Sequence, residues 1–475
     1  MDGLKLRDYQ EKYIVEIQKS FGNGNKKIIL CAPTGAGKTI MFSFMTKGAF
    51  DKDKKILIIT DRKELFSQST GSISKMGLKA NEIKPNCKID LNHNLHVAMV
   101  QTIMRRLNKE DYISFLNDLD LIIIDEAHKT IFDKLFEYIN ENTFVIGATA
   151  TPHREGKQLS LKTFYSDIVQ VIDTPELIKK GNLSAPESYG VPINLKGIKT
   201  KGGDFDEKSM ADKFSEIKLF HGVYDNYQRL TPNKKALVFA PNVDASKELV
   251  ESFNKKGLQA KHVDCYMTDI ERNETLKWFE QTEGSILSNY GILTTGFDCP
   301  SIEVVILYRA TKSLPLFLQM VGRGSRVTTT KKTFTILDFG NNIKTHKHWE
   351  ENRVWSLDKK EKKEGEAPIK ECPECYFLVH SRIMECPSCG FVFEKSEKEK
   401  EDLIIIELQK MNKKQLIEAV SIASFRDLQI IQKAKGYAKS WIYHQLKTKQ
   451  DFYEYEKFMS YKKGWAYNQL KLKGL

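Results

Sequence analysis

Short apolar runs recur along the first 340 or so residues, separated by longer stretches of mixed polarity. None of the runs alternates with polar residues, as expected for parallel strands that are covered on both faces. The first series lies at residues 28–30, 56–59, 96–100, 121–124 and 144–147. The second series lies at residues 236–240, 284–287, 304–307 and 334–337. The pattern predicts an α/β protein with two tandem parallel-sheet lobes.

Changes in residue composition divide the chain further. We expect the first lobe over residues 1–180 and the second over 181–345, with an exposed Gly- and Lys-rich excursion near 195–215. Residues 346–370 are charged and poor in apolar side chains, which predicts a connector. Two cysteine pairs follow within residues 371–393, and the pattern of residues 401–475 is helical.

Composition restricts the class of protein. The 475 residues carry a formal net charge of +12, which favours a polyanionic partner. No apolar run approaches the ~18 residues that a membrane span needs, and the N-terminus lacks the hydrophobic region of a signal peptide. We therefore expect a cytoplasmic protein without a membrane partner.

A phosphate-binding loop is predicted at residues 32–39 (APTGAGKT), between the first strand and a helix that starts near Ile40. The small residues Thr34, Gly35 and Gly37 let backbone N–H groups and the helix N-terminus converge on a phosphate. Lys38 would neutralise the β- and γ-phosphates of ATP, and the Thr39 hydroxyl would bind Mg²⁺. The strict motif has Gly where Ala32 stands.

An acidic pair follows the fourth predicted strand. Residues 125–128 read Asp-Glu-Ala-His at a strand end, where this type of sheet places its ligands. Asp125 is expected to hold Mg²⁺ through water, and Glu126 to orient and deprotonate the attacking water. Taken alone, such a pair is usually a solvated strand end, but the phosphate loop upstream favours catalysis.

The two motifs, with several others in the right order, resemble helicase superfamily two of the DEAH-box type over residues 4–345. The further motifs are residues 6–10 (LRDYQ), 60–65 (TDRKEL), 100–102 (VQT), 149–152 (TATP), 294–298 (TTGFD) and 319–326 (QMVGRGSR). The opening motif, the second-lobe TTGFD string and the trailing cysteines look most like the RadD-type bacterial or phage DNA repair helicases. The resemblance implies two RecA-like lobes.

The resemblance also implies residue roles. Gln10 would face adenine, and ATP would lie between the lobes, with Gly296 and Asp298 lining the second side. Arg323 and Arg326 would stabilise charge on the γ-phosphoryl group, and Gln319 would contact His128 when the cleft closes. The residues implied to contact nucleic acid are Arg62, Gln101, Thr102, Thr294 and Thr295.

Two Cys-x-x-Cys pairs predict a zinc site. Cys372 and Cys375 are separated by ten residues from Cys386 and Cys389, a spacing that suits a tetrahedral four-thiolate site of zinc-ribbon type. Redox chemistry is the alternative, although it needs only one pair. Whether Zn²⁺ only stabilises the module or also places it on nucleic acid stays open.

The C-terminal region contains a repeat. Residues 437–447 (YAKSWIYHQLK) return 24 residues later as 461–471 (YKKGWAYNQLK). Ten lysines between residues 433 and 473 oppose three acidic residues, a net charge of +7. Lysines can neutralise phosphate while aromatic rings such as those of Trp441 and Trp465 stack on bases. The alternative is a small helical core with solvated lysines, and the tryptophans themselves favour that packing.

These features predict an ATP-dependent DNA helicase or translocase acting in repair, recombination or replication. Its cofactors would be ATP, Mg²⁺ and Zn²⁺, and its partners single-stranded, forked or branched DNA and a single-stranded-DNA-binding or recombination protein. The alternatives are an RNA-directed helicase and a zinc-containing nucleic-acid-binding protein that works with a partner.

Overall fold

The structure is a computed structural model that describes residues 5–85, 90, 92–154, 158–191, 197–201, 203–214, 217–358, 369–393 and 413–474. The described chain forms two compact units, Met1–Arg382 and Ile383–Leu475. A charged run at residues 394–400 and the distal part of the predicted connector, 359–368, lie outside the described residues. No helix of the described chain is long and apolar enough to cross a membrane.

The first lobe is an α/β layer built on seven strands. Its strands are β1 (Lys27–Cys31), β2 (Ile56–Thr60), β3 (Asn81–Ile83), β4 (Leu95–Met99), β5 (Leu121–Asp125), β6 (Phe144–Thr149) and β7 (Asp167–Val169). Its helices are α1 (Asp8–Gly22), α2 (Lys38–Phe50), α3 (Lys63–Lys75), α4 (Val100–Met104), α5 (Glu110–Asn117) and α6 (Thr174–Lys179). Two 3₁₀ segments lie at Thr130–Glu137 and Leu161–Thr163.

All neighbouring strands of the first sheet are parallel, in the order β3-β4-β2-β5-β6-β1-β7. The central strands β2 and β5 are buried along their whole length, which explains their unalternated apolar sequence. Their side chains enter two hydrophobic cores, one on each face of the sheet. The carboxyl ends of β1 and β5 therefore present the phosphate loop and the acidic pair at one edge.

The second lobe repeats this plan with six strands. These are β8 (Ala185–Gly190), β11 (Ala236–Phe239), β12 (Ala260–Val263), β13 (Ile286–Asn289), β14 (Val304–Leu307) and β15 (Thr333–Asp338). A separate hairpin, β9 (Thr200–Lys201) and β10 (Asp204–Phe205), lies between β8 and β11 in the sequence. The sheet is parallel in the order β12-β13-β11-β14-β15-β8. The helices are α7 (Glu207–Phe214), α8 (Ile217–Leu230), α9 (Val243–Lys255), α10 (Asp269–Gln281), α11 (Leu314–Val321) and α12 (Asn342–His346).

The predicted fold class is confirmed: two parallel-sheet α/β lobes precede a four-cysteine cluster and a helical C-terminal region. Every predicted apolar run overlaps a strand, but the run at 284–287 was placed two residues early. Gly284 has a left-handed φ of 63° and Ser285 Oγ bonds Thr282 O at 2.7 Å, so the strand starts only at Ile286. The short edge strands β3, β7, β8 and β12 were missed because they are only partly buried.

The first part of the predicted connector, residues 346–358, packs against both lobes. Trp349 is buried, and its Nε1 donates to Leu318 O of the second lobe at 3.1 Å. Further along, Leu357 O accepts hydrogen bonds from Ser160 Oγ and from the Lys162 amide of the first lobe. The charged composition of the segment did not predict this packing, because the apolar contacts come from a few large side chains.

The segment after residue 368 begins with the hairpin β16 (Ile369–Glu371) and β17 (Leu378–His380), which lies beside β8. The second unit contains five described helices that surround their own apolar core. They are α13 (Lys413–Ile422), α14 (Phe425–Lys435), α15 (Ser440–Tyr443), α16 (Lys449–Phe458) and α17 (Trp465–Lys473).

Candidate functional site

The phosphate loop joins β1 to α2 and has the conformation that its glycines predict. Gly35 and Gly37 adopt left-handed φ values of 91° and 82°, which a residue with a Cβ rarely tolerates. Lys38 begins α2, and its Nζ donates to Ala32 O at 3.3 Å across the loop. Burial lowers the pKa of Lys38, and the carboxylates of Glu126 and Asp125 oppose that shift. The loop therefore has the backbone shape and the cation that suit a polyphosphate.

Side chains of helix α1 hold the phosphate loop through hydrogen bonds to Ala36 O. The side-chain Nε2 of Gln10 donates to Ala36 O at 3.0 Å, and its Oε1 accepts from the Arg7 backbone N–H at 2.9 Å. Tyr9 also donates to Ala36 O, at 3.1 Å. A Cβ at Gly37 would lie only 2.5 Å from Gln10 Nε2, so this glycine allows the close approach. Gln10, which was expected to face adenine, is thus a buried support of the loop in this structure.

The acidic pair lies at the carboxyl end of β5 and is buried. Glu126 has a left-handed φ of 54°, which is unusual for a residue with a side chain. Burial, together with the neighbouring Glu126, raises the pKa of Asp125 to about 7. Burial alone would raise the pKa of Glu126 as well, but the positive charges of Lys38, Lys129 and Arg323 hold it below its usual value. The environment thus favours an ionised Glu126.

His128 connects the acidic pair to the next motif. Its Nδ1 lies 2.8 Å from Thr149 Oγ1 and 3.4 Å from Glu126 Oε2. Burial lowers its pKa to about 4. His128 is therefore neutral near pH 7 and can bridge the carboxylate to the Thr149 hydroxyl.

Gln319 of α11 reaches the acidic pair from the second lobe. Its Nε2 donates to Glu126 Oε2 at 3.4 Å, whereas we expected His128 to be its partner. His128, the expected partner, contacts the same Glu126 Oε2 through its Nδ1 at 3.4 Å.

The two arginines of the same motif take different positions. The Arg323 guanidinium donates to the carbonyls of Thr294, at 2.8 Å, and Phe297. Arg326 Nε donates to Asp298 at 2.9 Å, and a Cβ added at Gly35 would lie 2.7 Å from Arg326 Nη1. Burial, followed by the nearby Arg326, lowers the pKa of Arg323 to about 10. Arg326 therefore faces the phosphate loop, while Arg323 is held within its own lobe.

The expected nucleic-acid residues of the two lobes are distributed over both, and Arg62 makes a contact between them. Arg62 Nη1 donates to Gly291 O at 3.4 Å, and Gln101 Nε2 donates to Asp61 O at 2.8 Å. Thr102, Thr294 and Thr295 are buried. Among the described residues, Gln101 Oε1 and Thr295 Oγ1 are buried without a hydrogen-bond partner. Gly296 lies so close to α3 that an added Cβ would overlap Glu64 Cβ.

Two buried cations near the site were not singled out from the sequence. Arg154 follows the TATP motif and donates to His128 O at 2.7 Å while pairing with Asp133 at 2.7 Å. Lys331 Nζ donates to Gly324 O at 2.9 Å, between the two arginines, and burial lowers its pKa to about 8. Their charge alone gave no signal, because most arginines and lysines lie at the surface.

The four expected cysteines come together. The sulfur atoms of Cys372, Cys375, Cys386 and Cys389 lie within 4.8 Å of one another. Each knuckle has the same local turn: the amides of Tyr376 and Gly390 donate to the carbonyls of Cys372 and Cys386, each at 2.9 Å. Tyr376, which departs from the usual glycine, adopts the same left-handed conformation, with φ 66° against 76° for Gly390. Four convergent thiols fit Zn²⁺.

The first knuckle packs on the second lobe. The Gly190 amide at the end of β8 donates to Tyr376 O at 2.9 Å, and the Tyr189 and Phe377 rings are 5.0 Å apart. Leu378 is buried and lies where a Cβ on Gly190 would otherwise be. The hairpin thus covers the edge strand of the second sheet.

Trp441 and Trp465, the remaining expected contacts, are half-buried in the core of the second unit. The Trp465 ring is 5.8 Å from that of Tyr443. The structure therefore gives both tryptophans a packing role.

Sequence comparison assigns both lobes to known families. Residues 3–154 match the family "Type III restriction enzyme, res subunit", and residues 218–328 match "Helicase conserved C-terminal domain". With the paired lobes and the buried phosphate site, these matches define a superfamily two helicase, and the chain is a nucleic-acid-dependent ATPase of that class. It is related to HsdR subunits of type I restriction enzymes and to phage and IRC3 helicases.

Individual relatives support the same family assignment. The chain is 29% identical over 401 residues to a 51.5 kDa protein of Lactococcus phage (isolate 7-9), covering 82% of this chain and 84% of the relative. It is 30% identical over 361 residues to the putative ATP-dependent helicase IRC3 of Saccharomyces cerevisiae, covering 70% and 51%. It is 27% identical to the type I restriction enzyme EcoAI endonuclease subunit of Escherichia coli, covering 71% and 46%. The chain thus spans about half the length of the last two.

A solved structure shows the same fold. A fragment of a putative HsdR subunit of a type I restriction enzyme from Vibrio vulnificus YJ016 superposes with a TM-score of 0.58 at 22% identity. The superposition covers 72% of this chain and 65% of that one. At this level of identity the likeness concerns the fold alone.

Proposed function

We propose that the protein is an ATP-dependent DNA translocase or helicase whose ATP lies in the cleft between the two lobes. The approach of Arg326 to Gly35 carries this proposal, because it brings a cation of the second lobe to the phosphate loop of the first. A second approach supports it: a Cβ at Gly322 would lie 2.5 Å from Thr34 Cγ2. The lobes therefore meet around the position of the phosphates.

The phosphate loop binds the nucleotide in this proposal. Backbone amides around Thr34, Gly35 and Gly37 receive the phosphates, and Lys38 neutralises their charge. Thr39, and Asp125 through water, would hold Mg²⁺, which would further neutralise the polyphosphate. Gln10, whose side-chain amide supports the loop through Ala36 O, would face adenine.

Glu126 is the general base. Its environment favours the ionised form that can take a proton from water, and Gln319 contacts it from the opposite lobe. Hydrolysis therefore depends on closure of the cleft, because only closure keeps Gln319 and Arg326 in place. His128 passes this state to the TATP motif through Thr149.

Arg326 is the arginine finger, and Asp298 orients it. An arginine in this role contributes roughly 10³–10⁵ in rate. Arg323 instead fastens the segment around Thr294 and Phe297 to α11, so its catalytic contribution is positional. Closing the cleft would then shift Thr294, Thr295 and Gly296 together with the finger.

Nucleic acid would run across both lobes, contacted by Arg62, Gln101, Thr102, Thr294 and Thr295. The net charge of +12 supports a polyanionic track. We assign the track to DNA, and the protein to repair, recombination or replication, from the resemblance to RadD-type helicases. A single-stranded-DNA-binding or recombination protein is the expected partner. Zn²⁺ bound by the four cysteines would stabilise the hairpin that covers β8.

Steady-state ATPase assays test the proposal with no polymer, single-stranded DNA, duplex DNA, forked DNA and RNA. Lys38→Ala is the blank, because it removes the phosphate-neutralising charge. We expect strong stimulation by DNA that the blank lacks, with the best activator identifying the substrate. Stimulation by RNA alone would assign the motor to RNA, and no stimulation by any polymer would refute DNA-directed activity.

A further inference from the structure

The two copies of the C-terminal sequence repeat fold into the same aromatic pair. In the first copy the Tyr437 and Trp441 rings are 4.9 Å apart at an interplanar angle of 37°. In the second copy the Tyr461 and Trp465 rings are 4.7 Å apart at 35°. Such close agreement shows that the repeat is a structural unit and is more than a similarity of composition.

The backbone that leads into each pair is also the same. A helix ends at a left-handed residue, Gly436 with φ 66° or Ser460 with φ 58°. The tyrosine amide then bonds back to the helix, at 3.0 Å in both copies, on Gln432 O and Glu456 O. A serine in this conformation is less favourable than a glycine, so the second copy keeps the turn at some cost.

Within each pair the two rings divide their roles. The tryptophans are half-buried and pack on the core of the unit, while Tyr437 and Tyr461 remain 36% and 41% exposed. The core thus fixes the tryptophan, and the tryptophan supports a tyrosine that solvent can reach. An isolated core aromatic would not leave its partner exposed in the same way twice.

Each pair lies in a positive field. Lys439 and Lys463, two residues after the tyrosines, are exposed, and residues 433–473 have ten lysines against three acidic residues. Supported aromatic rings between lysines suit unpaired bases, because the rings stack on bases while lysines neutralise the adjoining phosphates. An acidic protein partner would use the charge but would not require the paired rings.

We propose that Tyr437 with Trp441, and Tyr461 with Trp465, form two equivalent stacking sites that bind the unpaired bases of one DNA single strand. This deepens the proposed function and rests on it, since it names an additional binding surface for the same polymer. The tyrosines, and not the tryptophans, contact the bases. Because both sites belong to one folded unit, they also raise the affinity for a strand long enough to reach both.

The test is binding of the full chain, without nucleotide, to a fluorescein-labelled 30-residue oligothymidine, measured by anisotropy. Tyr437→Ala and Tyr461→Ala should each weaken binding by about 5- to 150-fold, which corresponds to the usual contribution of one stacked base. The double variant should be weaker than either. Lys439→Gln and Lys463→Gln should each reduce the salt dependence of binding by roughly 0.7 in log–log slope.

Matched variants separate stacking from folding. Tyr467→Ala removes a tyrosine that is 62% exposed in the second copy but has no aromatic partner among the described rings, and it should bind as the wild type does. Tyr437→Phe and Tyr461→Phe should preserve binding. Tyr437→Leu and Tyr461→Leu, which also fill the space, should not. Alanine variants that bind like Tyr467→Ala, Leu variants that equal Phe variants, or a wild-type chain that does not bind the oligonucleotide would each overturn the proposal.

The ATPase activity keeps this inference distinct from the motor itself. At saturating DNA the double variant should reach the wild-type turnover, because the phosphate site is unchanged. Tyrosine-dependent binding without any DNA-stimulated ATPase would refute the motor proposal and support the stacking sites. DNA-stimulated ATPase with tyrosine-independent binding would do the reverse.

Discussion

Arg326 lies against Gly35 so closely that a Cβ on the glycine would be 2.7 Å from the arginine Nη1. The two residues belong to different lobes and are separated by most of the ATPase sequence. Their contact therefore depends on the two lobes lying together at this point. Substitutions at the contacts between the lobes should therefore affect catalysis.

Arg326→Ala should abolish turnover while leaving ATP binding largely intact. The expected loss in kcat is about 10³-fold or more, because charge on the γ-phosphoryl group is no longer stabilised. Steady-state ATPase and binding of a fluorescent ATP analogue measure the two effects. Lys332→Ala, an exposed cation of the same loop region, is the control. Near-normal turnover in Arg326→Ala would remove this residue from the catalytic set.

Gly296→Ala should hinder the approach of the lobes. Gly296 and Gly291 have nearly identical left-handed φ values, 75° and 74°, so alanine costs a similar roughly 1 kcal/mol of backbone energy at both. Only at Gly296 would the new Cβ meet Glu64 of the opposite lobe, since Gly291 has open space around it. DNA-stimulated ATPase should fall in Gly296→Ala and stay near wild type in Gly291→Ala. Equal activities in the two variants would show that this contact does not limit closure.

Glu350→Gln should stabilise the protein at alkaline pH. Burial raises the pKa of Glu350 to about 7, and its Oε2 has no hydrogen-bond partner among the described residues. Because the folded pKa exceeds the unfolded value of about 4.3, the stabilising contribution is complete below that value and is lost as pH rises through 7.

A glutamine cannot ionise, so the variant should gain on the order of 3 kcal/mol over the wild type at pH 8 and little at pH 4.5. Denaturant midpoints at the two pH values measure this difference. Glu351→Gln, at the half-exposed neighbouring position, should show no such gain. A pH-independent difference between Glu350→Gln and the wild type would contradict the assignment.

Cys375→Ser should lose bound metal and lower the thermal stability of the chain. Chelation of the wild type should release about one equivalent of Zn²⁺, detected with a colorimetric zinc indicator. Without the metal the first knuckle can no longer hold Tyr376 and Leu378 against the end of β8. Cys265→Ser, at an exposed cysteine outside the cluster, should keep both metal and stability. Unchanged thermal unfolding after complete metal removal would show that the hairpin does not depend on zinc.

The sequence by itself determined the two lobes, since buried parallel strands require unalternated apolar runs and the central strands have them. It also placed the phosphate loop, the acidic pair and the four cysteines, because each of these motifs is short and its chemistry depends on local spacing. Strand β8 was missed because four of its six residues remain partly exposed and its partner β15 lies almost 150 residues later.

Only the tertiary structure decided which residues meet between the lobes. Gln319 contacts the Glu126 carboxylate across the cleft, Arg323 binds carbonyls of its own lobe, and Arg326 lies against Gly35. The same holds for Trp349, whose indole donates to Leu318 O, a residue distant in the chain. Such contacts arise from packing between elements, and a local pattern does not contain that information.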